Sequence, residues 1–413
     1  MNMKPDIVKP EELGFSSSRL AAISPYFQSY VDNGKLAGFS TLVSRHGEIA
    51  HFECVGQRDR ERGLPLQEDT IFRIYSMTKP ITSLALMMLY EEGHFQLNHP
   101  VSRYIPEFKR LRVWHGGTKE AFETVECARE MTIRDLLTHT SGLTYGFMYA
   151  HPIDAMYRDA GIGGAATVGM TLKDMVTKLA DIPLLFSPGE HWNYSVSTDV
   201  CGYLVEVLSG LPLDEFFQSR IFGPLGMVDT AFFVPKEKLG RFATNYFKDP
   251  KSGKQGVMDV GDETSTYARQ PEFLSGGGGL VSTMIDYWRF CQMLLNGGEF
   301  NGARLVSRKT IEFMIMNHLP GGQNMKQMTT SAFSELAADG AGFGLGFAVT
   351  LDPAEAMATG SAGNFSWGGA ASTYFWIDPE ENLISILLTQ LYPSSTYPLR
   401  PQLQQLVYGA LVD

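Results

Sequence analysis

Strand-like segments stand at the two ends of this chain and helix-like segments fill its middle, a distribution that narrows the fold more than any single residue does. Gly38 to Gly56 reads as two strands turned at His46-Gly47, with β-branched and aromatic residues on both sides. Near the other end, Gly344–Leu351, Ala371–Ile377 and Leu383–Thr389 read as strands, the last two joined by a turn over Asp378 to Asn382. Helical spacing prevails between them. One antiparallel sheet shared by the termini, with a helical part inserted, satisfies that order, so the fold class is α+β. The expected division is a discontinuous α/β domain from residues 1–72 and 275–413 and a mostly helical domain from 73–274, with any site at their interface.

Local signals fill in the order. Leu20, Ile23, Phe27 and Val31 share one face of a leading helix over about 16–31, with a serine run to cap it. Val113–Cys127 looks like a hairpin about Gly116-Gly117. Thr132 caps a short helix, and Thr171 with Asp174 opens another that ends before Pro183. Residues 145–170, rich in Gly, Tyr and Met without clear period, read as an irregular wall or lid. A turn at Pro188-Gly189 delivers Tyr194 ahead of a helix from about Ser197 to Leu208, and a short helix follows over Leu213–Phe222. An extended polar segment then runs to Phe273. The four glycines Gly276–Gly279 lack the Gly-Lys-Ser/Thr ending of a phosphate loop, and Thr283 with Asp286 is an ordinary helix cap, so close backbone packing is the better reading. Residues 317–341 read as a mobile loop, and a closing helix follows Pro401.

The chemistry concentrates in Phe72–Gly93. Ile81, Leu84, Ala85, Met88 and Leu89 recur at helical spacing and Gly93 supplies the stop, which predicts one well-buried helix. Ser76 and Lys79, three apart, fall where that helix begins, and residues three apart share a face. A free serine hydroxyl is a poor nucleophile. An amine packed beside it in an apolar wall can shed its charge and take the serine proton.

Charge and cysteines exclude other classes. Lys plus Arg number 34 against 45 Asp plus Glu, a net charge of −11 without a basic run, so neither nucleic acid nor an anionic membrane surface is an attractive partner. Cys54, Cys127, Cys201 and Cys291 are scattered and form no C-x-x-C, which argues against zinc or a disulfide framework, and no metal or cofactor is implied. The first residues lack the apolar run of a signal peptide, and no segment approaches the roughly 20 apolar residues of a membrane span. A cytoplasmic setting with reduced thiols is the expectation.

Three short motifs follow one another: Ser76-Met-Thr-Lys79, Tyr194-Ser-Val196 and Trp367-Gly-Gly369, the last heading a strand. With them the chain resembles the serine β-lactamase and penicillin-binding-protein superfamily, most closely the family VIII carboxylesterases that look like class C β-lactamases. Leu136–Leu143, the glycine run and the terminal strands fall where that family has them, so the resemblance spans nearly the whole chain and implies a β-lactamase/DD-peptidase-like fold. It implies that Ser76 is acylated, that Lys79 and Tyr194 share the proton work, and that the amides of Ser76 and Ala370 form the oxyanion hole. Val196, Trp367, Gly368 and Gly369 are then expected to bind substrate.

The departures bear on the substrate. β-Lactam-processing relatives carry Asn where this chain has Val196, and Lys-Thr-Gly where it has Trp367-Gly368-Gly369. A small-molecule ester with an apolar group fits this chain better than a β-lactam carboxylate. An acyltransferase, a β-lactamase or D-amino-acid peptidase, and a non-catalytic ligand sensor on the same fold are the alternatives. His139 sits in a turn the family uses structurally and is set aside as a base. No G-x-S-x-G occurs, which counts against an ordinary α/β-hydrolase.

Overall fold

A computed structural model of the chain describes residues 6–329 and 339–413. The N-terminal hairpin forms β1 (Gly38–Arg45) and β2 (Glu48–Asp59). His46 (φ 54°) and Gly47 (φ 87°) both take the left-handed conformation in its turn, as a two-residue hairpin twisted to match its strands requires. The short β3 (Leu64–Pro65) follows. The C-terminal end supplies β4 (Ala341–Phe343), β5 (Ala348–Thr350), β6 (Phe365–Gly368), β7 (Tyr374–Asp378) and β8 (Leu383–Thr389). They join in one sheet, ordered β4-β5-β6-β7-β8-β1-β2-β3, with every neighbouring pair antiparallel. The two ends of the chain meet where β1 lies against β8, from Phe39 opposite Thr389 to Arg45 opposite Leu383.

The helices that frame the sheet and the site are α1 (Ile23–Asp32), α2 (Thr78–Glu91), α3 (Ser197–Ser209), α4 (Met284–Leu295) and α5 (Leu399–Tyr408). Side chains alternate across a strand, and both faces of this sheet are apolar. Phe39, Val43, Trp376, Leu383 and Leu387 form one face, packed with Phe27 of α1 and Leu403 and Val407 of α5. Leu42, Phe375, Ile377, Ile384 and Ile386 form the other, continuous with the core built by α2, α3 and α4. Tyr287 of α4 lies 5.2 Å from Phe375 between ring centroids and donates its hydroxyl to the Met77 carbonyl at 2.9 Å. The sheet is thereby tied to the turn ahead of α2.

Several expectations need correction. The leading helix is two pieces, Ser17–Leu20 capped by Ser16, then α1, broken at Ala21-Ala22. The hairpin after Val113 turns at Thr118–Ala121, where those two residues bond each other's backbone, and Gly116-Gly117 stay in the strand. Residues 145–170 contain a helix, Pro152–Asp159, with a capping box between His151 and Asp154. The segment read as extended and polar holds the strands Asn245–Lys248 and Gln255–Asp259, and the first also pairs with Leu391–Tyr392. Of the strand expected over 344–351 only β5 forms, because Gly346 (φ 99°) turns the chain between β4 and β5 and residues 344–347 make a hairpin turn. Trp367-Gly368 end β6 and do not head a strand. The closing helix starts at Leu399, with Pro401 inside its first turn, where a missing N–H costs nothing. Of the loop expected over 317–341, residues 330–338 lie outside the described residues. The rest includes a 3-10 turn, Pro320–Gly322, and a helical turn, Met325–Met328.

Candidate active site

α2 begins at Thr78, two residues after Ser76, where its spacing predicts the start. Tyr75–Met77 form a 3-10 turn, and Ser76 sits in that turn, half-buried, ahead of the helix. Tyr75 takes φ 43°, which a large side chain seldom adopts and which costs on the order of 1–3 kcal/mol. Its hydroxyl is held by Asn245 Nδ2 at 2.8 Å. Lys79 follows in the first turn of α2 and is 1 % exposed.

The chain from Trp192 to Val196 is laced to the segment after residue 138. The Asn193 amide donates to the His139 carbonyl (2.9 Å), Asn193 Nδ2 to the Leu143 carbonyl (2.9 Å), and the Val196 amide to the Thr144 carbonyl (3.2 Å). That bracing aims Tyr194 across at Ser76. The Tyr194 hydroxyl donates to Ser76 Oγ at 2.6 Å, and Lys79 Nζ lies 3.3 Å from the same oxygen. Lys79 Nζ also donates to the Gly277 carbonyl at 2.6 Å and stands 4.5 Å from the centre of the Tyr194 ring. Two proton-bearing groups therefore converge on one hydroxyl, within the distances over which protons pass.

Aromatic rings surround the tyrosine. Tyr145, Trp367 and His139 lie 5.3, 5.7 and 5.0 Å from it between ring centroids, and Phe343 packs on Trp367 at 5.3 Å. His139 bonds Ser195 Oγ through Nδ1 at 3.2 Å, not Ser76. Burial, reinforced by the Lys79 charge, holds its ring well below the usual histidine range, hence neutral. A neutral ring fastened beneath Tyr194 fits the structural part given to it.

The 368–373 turn lies against Ile74, two residues ahead of Ser76. A methyl on Gly369 would run into Thr373 Oγ1 and the Ile74 carbonyl, so only glycine lets this turn approach the backbone that leads into Ser76. Gly369 and Thr373 bond each other (amide to carbonyl, 2.9 Å), Arg400 Nη2 donates to the Gly369 carbonyl (3.3 Å), and Ser372 takes φ 67°. Ala370, half-buried, is carried by this turn. Gly368 leaves room for the Arg400 guanidinium.

A family model described as Beta-lactamase matches residues 23–408. The chain belongs to the beta-lactamase family. It is thus a serine hydrolase on a β-lactamase/penicillin-binding-protein-like fold, as the three motifs imply. Among its relatives, an uncharacterised protein of Mycobacterium tuberculosis is 36 % identical over 366 residues, 88 % of each chain. Esterase EstB of Burkholderia gladioli is 31 % identical over 415 residues, 97 % of this chain and 98 % of its own. The solved structure of EstCE1, described as a hydrolase with promiscuous acyltransferase activity, superposes with a TM-score of 0.79 at 26 % identity, covering 97 % of this chain and 99 % of that one.

Within this family member, the residues expected to touch substrate sit deep. Val196 is 0 % and Trp367 1 % exposed, the first at the N-cap of α3 and the second between Tyr194 and Phe343. Neither presents an open surface, and the two rings that Trp367 packs against, Tyr194 and Phe343, are buried as well. Three neighbours of the site escaped the motif reading. Tyr145, whose ring lies 5.5 Å from Lys79 Nζ, belongs to the stretch without period, and Asn245 to the polar one. The glycine run did signal close packing, and Gly276 sits where a methyl would meet Thr82 Cγ2 and the Thr198 carbonyl. Nothing in it marked Gly277 as the acceptor for Lys79. Among the described residues no group of His, Cys, Asp and Glu is arranged to hold a metal, and no helix is long and apolar enough to cross a membrane.

Proposed function

We propose that this chain is a serine carboxylesterase of the family VIII kind, hydrolysing short-chain acyl esters through an acyl-enzyme on Ser76. The observation that carries the reading is the convergence of Tyr194 (2.6 Å) and Lys79 (3.3 Å) on Ser76 Oγ. Ser76 Oγ attacks the ester carbonyl carbon while its proton passes to this pair. The bond to the alcohol oxygen then breaks, and the same proton goes to the departing oxygen. Water attacks the acyl carbon by the reverse route and frees Ser76. The amides of Ser76 and Ala370 hold the developing oxyanion, each contributing on the order of 10²- to 10³-fold. The reading divides the chain into 1–72 with 275–413 and 73–274, so that Ser76, Lys79 and Tyr194 come from the second part and Ala370 from the first.

The esterase name of EstB, at 31 % identity over nearly the full length of both chains, supports the ester substrate. Val196 and Trp367, in place of Asn and Lys, turn the site away from β-lactams. Acyl transfer to an alcohol is a second reading of the same acyl-enzyme, favoured by the description of EstCE1.

Wild type and Ser76→Ala, assayed on p-nitrophenyl butyrate and nitrocefin, test it. Butyrate turnover lost with the hydroxyl, and nitrocefin nearly untouched, is the expected result. Fast nitrocefin hydrolysis would overturn the substrate, and butyrate turnover surviving in Ser76→Ala would overturn the nucleophile.

A further inference from the structure

Asp199 lies in the first turn of α3, 0 % exposed, and no step above uses it. Its Oδ1 accepts from the Ser275 hydroxyl at 2.6 Å and from the Gly277 amide at 2.9 Å. The carbonyl of that same glycine is the acceptor for Lys79 Nζ. One residue therefore joins a buried carboxylate to the buried amine. The fit is close: a methyl on Gly277 would stand 2.6 Å from Asp199 Oδ2.

Oδ2 itself is buried with no hydrogen-bond partner among the described residues. An unpaired polar atom in the core costs on the order of 1–3 kcal/mol, more for a charged group, so an amide or an apolar side chain would serve packing better. Charge is what those replacements lack. The titratable groups facing the pair are Lys79 of α2, Tyr145 and Tyr194 over it, His139 behind Tyr194, and Cys201 on α3 itself. Burial keeps Tyr145 and Cys201 protonated and His139 neutral. Burial also raises Asp199, while Ser275, the Lys79 charge and the Gly277 amide pull the other way.

We propose that Asp199 is a positioning residue for the proton-transfer pair: through Gly277 it fixes the acceptor that aims Lys79 at Ser76, and its negative charge holds the Lys79 proton. The inference rests on the acyl-enzyme reading. Without that anion, Lys79 and Tyr194 both release protons more readily, so the acid limb of activity moves to lower pH.

The test is the pH profile of kcat/KM on p-nitrophenyl butyrate for wild type, Asp199→Asn and Ser275→Ala, with Ser76→Ala as control. Asp199→Asn keeps the shape and an Oδ1 acceptor and removes the charge. Its acid limb is expected to move down by about one pH unit or more, the size of a nearby-charge effect, with KM within about twofold. A folded Asp199→Asn protein whose limb stays in place or moves up overturns the proposal. Should that variant not fold, Ser275→Ala decides: losing one donor to the carboxylate moves the limb down if the proposal holds, and leaves it in place if not. Activity surviving in Ser76→Ala would sink the acyl-enzyme reading instead, so the two failures are told apart.

Discussion

Helices α2 and α5 begin alike and end in different surroundings. Each has a basic residue followed by proline in its first turn, Lys79-Pro80 and Arg400-Pro401, and each aims the base at backbone carbonyls beside Ser76. A basic side chain gains nothing from the positive end of a helix dipole, so both are kept there for what they touch. The difference lies in the rest of the helix. α2 is buried from Thr78 through Leu89, whereas α5 buries only Leu399, Leu403 and Val407. The first is the axis of the core and holds Lys79, the proposed proton-transfer residue, while the second covers a sheet face and braces a turn from outside. Two helices with the same opening can therefore differ in how much of the molecule depends on them.

The strongest way to break this contrast is through the two basic residues. Lys79→Met, which keeps the length of the side chain, is expected to lower kcat/KM for p-nitrophenyl butyrate by about 10²- to 10⁴-fold. Arg400→Ala acts through the turn, where the guanidinium donates to the Gly369 and Thr373 carbonyls, and should cost about tenfold, the low end of what a hydrogen bond to a charged group contributes. If Arg400→Ala proved the more damaging, α5 would have to be counted with the chemistry. Stability sharpens the same comparison. Leu84→Ala in α2 should cost about 2–5 kcal/mol in urea unfolding, against less than about 0.5 kcal/mol for the exposed Gln405→Ala in α5.

The smallest expected effect concerns His139. Its ring stays neutral in the folded protein, while the unfolded chain takes up a proton near its usual value of 6.5. Protons then favour the unfolded state as pH falls through 6.5, and stability is lost in that direction. His139→Asn, a residue that tolerates φ 56°, should flatten the fall of the melting temperature between pH 7 and 5. An equally steep fall would assign the acid lability to His51, His151 and His318, which burial also depresses.

What could be read in advance follows the range of the interactions involved. The hairpin of β1 and β2 turns on adjacent residues, α2 and α3 declare themselves by period, and Thr132, Thr171 and Thr283 cap their helices with a carboxylate three residues on. Each depends on neighbours in sequence. The strand Asn245–Lys248 was hidden because one of its partners, Leu391–Tyr392, lies in a distant part of the chain and its own residues are only half apolar. The helix at Pro152–Asp159 did carry a local signal, Pro at its start and Asp154 as a cap, masked by the glycines and tyrosines around it. At the site, Ser76, Lys79 and Tyr194 were legible as residue types in order. The Gly277 carbonyl and the close pass of Gly369 over Ile74 were not, because each is a meeting of segments far apart in sequence, and the local 3-10 turn at Ser76 rests on a φ at Tyr75 that its residue type does not announce.

The pairing of β1 with β8 also has a consequence for synthesis on the ribosome. β1 emerges more than 300 residues ahead of the strand that completes its second edge, Leu383–Thr389. At about 5–20 residues per second the wait is on the order of tens of seconds. Throughout it, the strand Gly38–Arg45, with Phe39, Leu42 and Val43 uncovered, offers an open edge to any other nascent chain. A chain released before residue 383 keeps that edge open for good, so premature termination leaves a product primed for edge-to-edge association.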